Sequence, residues 1–175
     1  MPIIQTKTKT DFYKAKVDAW ACFRTIESNG GGHIGSCSEN VMKNLAPLNQ
    51  TQFLIQSKSC RRFPGEVIVN KNDNFGGDIW IGPTYSLNIF VQYYSRSEPR
   101  CNYLKSALST ISKLNLKPLE SIAFIFPFFE PGISEGVAGI DSEFNTKGKE
   151  AIMEFEKESG IECLVFDIEK ATSIF

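Results

Sequence analysis

Ser28-Asn29-Gly30-Gly31-Gly32-His33-Ile34-Gly35-Ser36 is the stretch from which the fold can be read outward. Before it stands Val17-Asp18-Ala19-Trp20-Ala21-Cys22-Phe23, an apolar run with few charges, as expected of a strand covered on both faces. After it, Cys37 to Leu45 is compatible with a helix, and Pro47 stops that pattern. Three consecutive glycines, with Gly35 three residues on, remove the Cβ atoms that would hold a ligand away from the backbone. Their N–H groups are then free to converge on an anion, most favourably at a helix N-terminus. The same residues also suit an ordinary surface turn. The loop alone leaves both readings open.

The rest of the chain narrows the choice. Ile3 to Lys9 alternates as a first strand, and Thr10 or Asp11 is placed to cap a short helix or turn. Thr51–Gln56 is a short amphipathic piece, and Ser57 to Pro64 is a basic loop. Gly65–Val69 reads as a strand, Lys71–Asp78 as a turn leading to Ile79-Trp80-Ile81, and Tyr85–Tyr94 as a strong strand. Cys101 to Leu114 is the clearest helix, with Tyr103, Leu104, Ala107, Leu108 and Ile111 on one face. Leu119–Phe126 is a buried strand ending in a second loop rich in Pro and Gly, Pro127 to Gly139. Thr146–Ser159 is an amphipathic helix with Gly160 at its end, and Ile161–Asp167 a last strand. Strands alternating with helices predict an α/β fold, in which ligands sit beyond the carboxyl ends of the strands. Both glycine-rich loops follow strands and are therefore expected on one rim.

Composition bounds the function. The 175 residues carry 42% hydrophobic side chains, fourteen of them Phe, which predicts a packed globule. With no repeat or linker-like break, residues 1–175 read as one domain. A net charge of −1 argues against a general nucleic-acid surface. Five widely spaced cysteines without a C-x-x-C, together with a single histidine, give no metal site. The thiols read as reduced, and no apolar run approaches membrane-spanning length, so a cytoplasmic protein away from membranes is expected.

The residues also resemble a family. Thr10-Asp11-Phe12-Tyr13-Lys14-Ala15-Lys16-Val17-Asp18-Ala19, the glycine stretch, Leu87-Asn88-Ile89-Phe90-Val91-Gln92 and Tyr103-Leu104-Lys105-Ser106-Ala107-Leu108 are together similar to macro domains. The last two segments most resemble the branch containing ADP-ribose-1″-phosphate phosphatases and nearby phage and bacterial macro domains. The resemblance implies a three-layer α/β/α fold around a central mixed sheet. It also implies a cleft for ADP-ribose or a derivative, and no cofactor beyond that ligand. The partners it implies are an ADP-ribose-like small molecule and ADP-ribosylated macromolecules.

By the resemblance, Asp11 falls where the family's adenine-binding aspartate sits, with Phe12 beside it. Asn29, Gly30, Gly31, Gly32, Ile34 and Gly35 fall on the first phosphate and distal-ribose loop. Gln92 is a polar candidate at a strand end. Gly132, Ile133, Ser134 and Gly136 fall on the second phosphate loop, and Phe166 is a candidate to stack on adenine. Two versions of the function follow. One is a reader or sequestering binder. The other is a hydrolase of a 1″-phosphate or an ADP-ribosyl group, with His33 as acid or base and Glu135 activating water. A third reading keeps the scaffold for protein–protein contact. Two departures stand out. The family's Asn-Ala-Ala-Asn maps onto Cys22-Phe23-Arg24-Thr25, and the second loop carries Glu130 and Glu135 where a diphosphate would lie.

Overall fold

The computed structural model describes residues 3–6, 15–26, 32–33, 63–72, 82–92, 100–126 and 141–168. Among them are seven strands in one sheet: β1 Ile3–Thr6, β2 Ala19–Thr25, β3 Gly32–His33, β4 Val67–Lys71, β5 Tyr85–Gln92, β6 Ser121–Phe126 and β7 Glu162–Ile168. Two helices accompany them, α1 Cys101–Lys113 and α2 Asp141–Ser159. The main path across the sheet is β1-β7-β6-β2-β5-β4, with β3 attached to β2. β1, β7, β6, β2 and β5 are mutually parallel, while β4 and β3 are antiparallel to their partners. The mixed α/β plan expected from the sequence is what forms.

Side-chain alternation assigns the faces. Ala19, Ala21 and Phe23 of β2, with Leu87, Ile89 and Val91 of β5, join Ile122, Phe124 and Val165 in one apolar cluster. α1 closes over it with Leu104, Ala107, Leu108 and Ile111, four residues of the face read from the sequence. α2 adds Phe144, Ala151, Ile152 and Phe155. Each of these residues gains about 25 cal/mol per Å² of apolar surface removed from water, so this shared face is the principal force holding helices to sheet. The opposite face of the sheet is equally buried, through Trp20, Cys22, Arg24, Ser86, Asn88, Phe90 and Ile125. A sheet covered on both faces is what parallel strands require.

Element ends differ from the sequence reading by a few residues. α2 begins at Asp141 rather than Thr146. Phe144, inside that extra turn, packs edge-on against Phe23 with centroids 5.5 Å apart and rings at 86°, an anchor that local pattern does not reveal. Gly160 ends α2 as expected, at φ +75, with its N–H donating to the Glu156 carbonyl at 2.9 Å. The expected turns or helices at 10–13, 39–45, 51–56 and 71–81 lie outside the described residues, apart from Lys71 and Asn72.

Candidate functional site

The carboxyl ends of β2, β5, β6 and β7 all point to one rim, because these strands are parallel. The segments leaving Thr25, Gln92, Phe126 and Ile168 therefore start from the same side of the molecule. The chain leaves β2 toward β4 but leaves β6 toward β7, on the other side of the sheet order. Neighbouring strands whose exits diverge in this way open a crevice between them. Here the crevice lies between β2 and β6.

The register shows where the two strands part. β2 pairs β6 at Ala19↔Ile122, Trp20↔Ala123 and Ala21↔Phe124, and the ladder goes no farther. β2 continues for four more residues. On its other edge it stays with β5 as far as Thr25↔Gln92, with a bulge between Arg24 and Thr25. On the edge that β6 has left, Gly32 and His33 pair antiparallel with Thr25 and Arg24. Gly32 and His33 thus lie antiparallel on the end of β2, on the side where β6 has parted from it. The edge of β2 takes up the backbone of Gly32 and His33, because exposed ladder groups need partners; the helix expected from Cys37 lies outside the described residues.

From the end of β2 runs a buried polar row. Arg24 is 0% exposed, and its Nε donates to Asn88 Oδ1 at 2.6 Å. Asn88 donates through Nδ2 to Asn70 Oδ1 at 3.1 Å and to the Ile68 carbonyl at 3.4 Å. The Cys22 thiol also donates to Asn88 Oδ1, at 3.5 Å. Farther along, Asn72 Nδ2 donates to Ser86 Oγ at 2.9 Å and to the Pro83 carbonyl at 3.0 Å. Burial pushes the Cys22 thiol up from its ordinary value, and the Arg24 charge and hydrogen bond offset only part of that. Cys22 is therefore a protonated, structural thiol at neutral pH, not a nucleophile.

Of the residues singled out from sequence, Gly32 and His33 form β3 at the crevice, and Gln92 ends β5 opposite Thr25. These three meet at one rim. Phe166 does not join them. It lies inside β7, opposite Ile4 and Ile125, and is 2% exposed. Asp11, Phe12, Asn29, Gly30, Gly31, Ile34, Gly35, Gly132, Ile133, Ser134, Glu135 and Gly136 lie outside the described residues. Among the described residues, no group of three His, Cys, Asp or Glu side chains is placed to hold a metal. No described helix is long and apolar enough to cross a membrane. Sequence reasoning missed the Arg24–Asn88–Asn70 row. Its only signal was the alternation of Ser86 with Asn88 and of Asn70 with Asn72 in strands otherwise rich in apolar residues.

The fold has known counterparts. The macrodomain of Thermus aquaticus DarG is similar over 94% of this chain and 96% of its own, with a TM-score of 0.65 and 17% identity. An Oceanobacillus iheyensis macrodomain variant with ADPR is similar over 98% of this chain and 86% of its own, with a TM-score of 0.62 and 13% identity. A Trypanosoma brucei macrodomain in complex with ADP-ribose is similar over 98% of this chain and 65% of its own, at 0.55 and 18%. No family model matches the chain, and no curated protein matches it. The chain has the macrodomain fold.

Proposed function

We propose, from a macrodomain fold in which Gly32 and His33 pair with the end of β2 where β6 parts from it, that this protein binds ADP-ribose or an ADP-ribose-derived nucleotide in a crevice there. The observation that carries the reading is the pairing of Gly32–His33 on Thr25–Arg24, at the edge where β6 has left β2. It puts glycine backbone at the mouth of a switch-point crevice, where a phosphate can approach closely. Two of the fold relatives named above carry ADP-ribose or ADPR, which supports this choice of ligand. In this reading Asp11 and Phe12 receive the adenine, residues 29–35 the first phosphate and distal ribose, and 132–136 the second phosphate.

The protein then acts as a reader or a sequestering binder in the cytoplasm, toward the free nucleotide or an ADP-ribosylated macromolecule. Its hydrolytic version assigns proton transfer to His33 and water activation to Glu135. Titration calorimetry with ADP-ribose is the test. Affinity on the order of micromolar, lost in Gly32→Glu, supports the crevice as the site. Absence of heat from the folded wild-type protein at millimolar ligand overturns the reading.

A further inference from the structure

The two helices end on the side of the sheet away from the rim. Arg100, at the head of α1, donates its N–H to the Val91 carbonyl at 3.0 Å, near the carboxyl end of β5. Past the end of α1, the Lys117 carbonyl accepts from Tyr85 Oη at 2.7 Å, at the amino end of β5. α2 likewise finishes just before β7, where the Glu162 N–H donates to the Glu120 carbonyl at 2.9 Å. Between the closing turns of α1 and α2 lies a cavity of about 320 Å³, the size of a small-molecule site. Leu108, Ala151 and Phe155 form its apolar floor. Lys105, Ser109 and Ser112 stand on the α1 wall, Glu154 and Glu158 on the α2 wall.

We propose that this α1–α2 cavity binds a linear aliphatic diamine, at a site separate from the β2–β6 crevice and independent of the ligand assigned there. Among the described residues, no ion pair or side-chain hydrogen bond engages either carboxylate. The Ser112 hydroxyl donates to the Ser109 carbonyl at 2.7 Å, so its oxygen offers a ligand only lone pairs. The carboxyl ends of the two helices add partial negative charge. Lys113 and Lys157 stand in the last turns but do not line the cavity. Spacing then selects the ligand. Glu154 and Glu158 share one face of α2, with Cβ atoms about 6 Å apart. An extended diamine with about four methylenes spans about the same distance between its nitrogens. One ammonium faces each carboxylate while the methylenes lie on Leu108 and Phe155. Lys105, a turn nearer the start of α1 than Ser109, repels a third ammonium and so favours a diamine over longer polyamines. A lysine of a partner protein fits less well, because it brings one ammonium per stem to two carboxylates.

The test titrates the whole chain with diaminobutane and follows backbone amides by two-dimensional NMR. Butylamine, spermidine, Mg²⁺ and a helical peptide with two lysines one turn apart serve as comparisons. Expected is saturable binding of diaminobutane that shifts the amides around Ser112 and Glu158. Butylamine, with one charge, should bind about twofold to fivefold more weakly. Glu154→Gln and Glu158→Gln should each weaken diaminobutane by the same factor, and Lys105→Gln should strengthen it by about twofold. All three positions are exposed, so these variants retain the fold. Absence of saturable shifts overturns the site, as does unchanged affinity in both Gln variants. Equal shifts and affinity with Mg²⁺ overturn the diamine, since they show attraction of any dication. Tighter binding of spermidine overturns the role of Lys105 and the choice of a diamine. Tighter binding of the peptide, lost in Glu154→Gln, replaces the small molecule with a protein partner.

Discussion

Replacing Asn88 by Leu probes the energetic centre of the buried polar row. Leu keeps the branching of Asn, though with greater bulk, and offers no carbonyl to Arg24 and no amide to Asn70. The lost Nε–Oδ1 bond, 2.6 Å long and made by a charged donor, is worth about 1.5–3 kcal/mol. Loss of the 3.1 Å bond to Asn70 adds about 1 kcal/mol. The sum is about 2.5–4 kcal/mol. Urea unfolding followed by circular dichroism at 222 nm measures it, provided the m-value is unchanged. The decisive comparison is with Arg24→Met and with the double variant. Once Arg24 is Met, Asn88→Leu no longer strips a guanidinium of its acceptor. The double variant should then be more stable than the sum of the singles implies, by about 2 kcal/mol. A cost below about 1 kcal/mol for Asn88→Leu would refute the reasoning, as would additivity of the two changes within about 0.5 kcal/mol.

Three further expectations concern the scaffold. Gly65 has φ +93, and a Cβ there would stand 3.2 Å from both Cβ and Oγ of Ser106. Gly65→Ala should therefore cost about 1–3 kcal/mol in the same urea assay, and an unchanged midpoint would count against the geometry. Phe144→Ala removes the ring stacked edge-on against Phe23 and should cost about 3–5 kcal/mol, with α2 fraying first at its N-terminus by amide exchange. Burial, reinforced by Glu156, pushes the Cys163 thiol up to about 12 from an ordinary value of 9.0. The folded state thus holds its proton where the unfolded chain releases it. Stability present below pH 9 should fall by at most about 1.4 kcal/mol per unit as pH rises toward 12. Cys163→Ala should flatten that alkaline limb in thermal scans, and an identical limb in the variant would exclude Cys163 as its source.

How much of this was legible in the sequence depends on the range over which each signal acts. β2, β5, β6, β7 and α1 were readable because apolar alternation, or three-and-four spacing, is written within a dozen residues. The first turn of α2 was not, because Phe144 is recruited by Phe23, far away in the chain. Asn88 looks like a half-exposed strand residue until Arg24, 64 positions away, is set beside it. Phe166 reads from the sequence as following the last strand, and it lies inside that strand for a local reason. β7 runs on to Ile168, which keeps Phe166 within the ladder and buried. For β3 the obstacle is length: two residues contain no period.

That short strand joins the fold to the site. The ladder between β2 and β6 stops at Ala21↔Phe124, so the last residues of β2 face the crevice with a free edge unless something pairs with them. An unprotected edge inside a cleft would be costly to bury and prone to pair with other chains. Gly32 and His33 close that edge at Thr25 and Arg24. A glycine opposite Thr25 does so without a Cβ to narrow the opening. The same backbone thus pairs with the last two residues of β2 at the rim where the strands part. In the proposed function, residues that close the sheet edge and residues that admit the ligand are then in part the same.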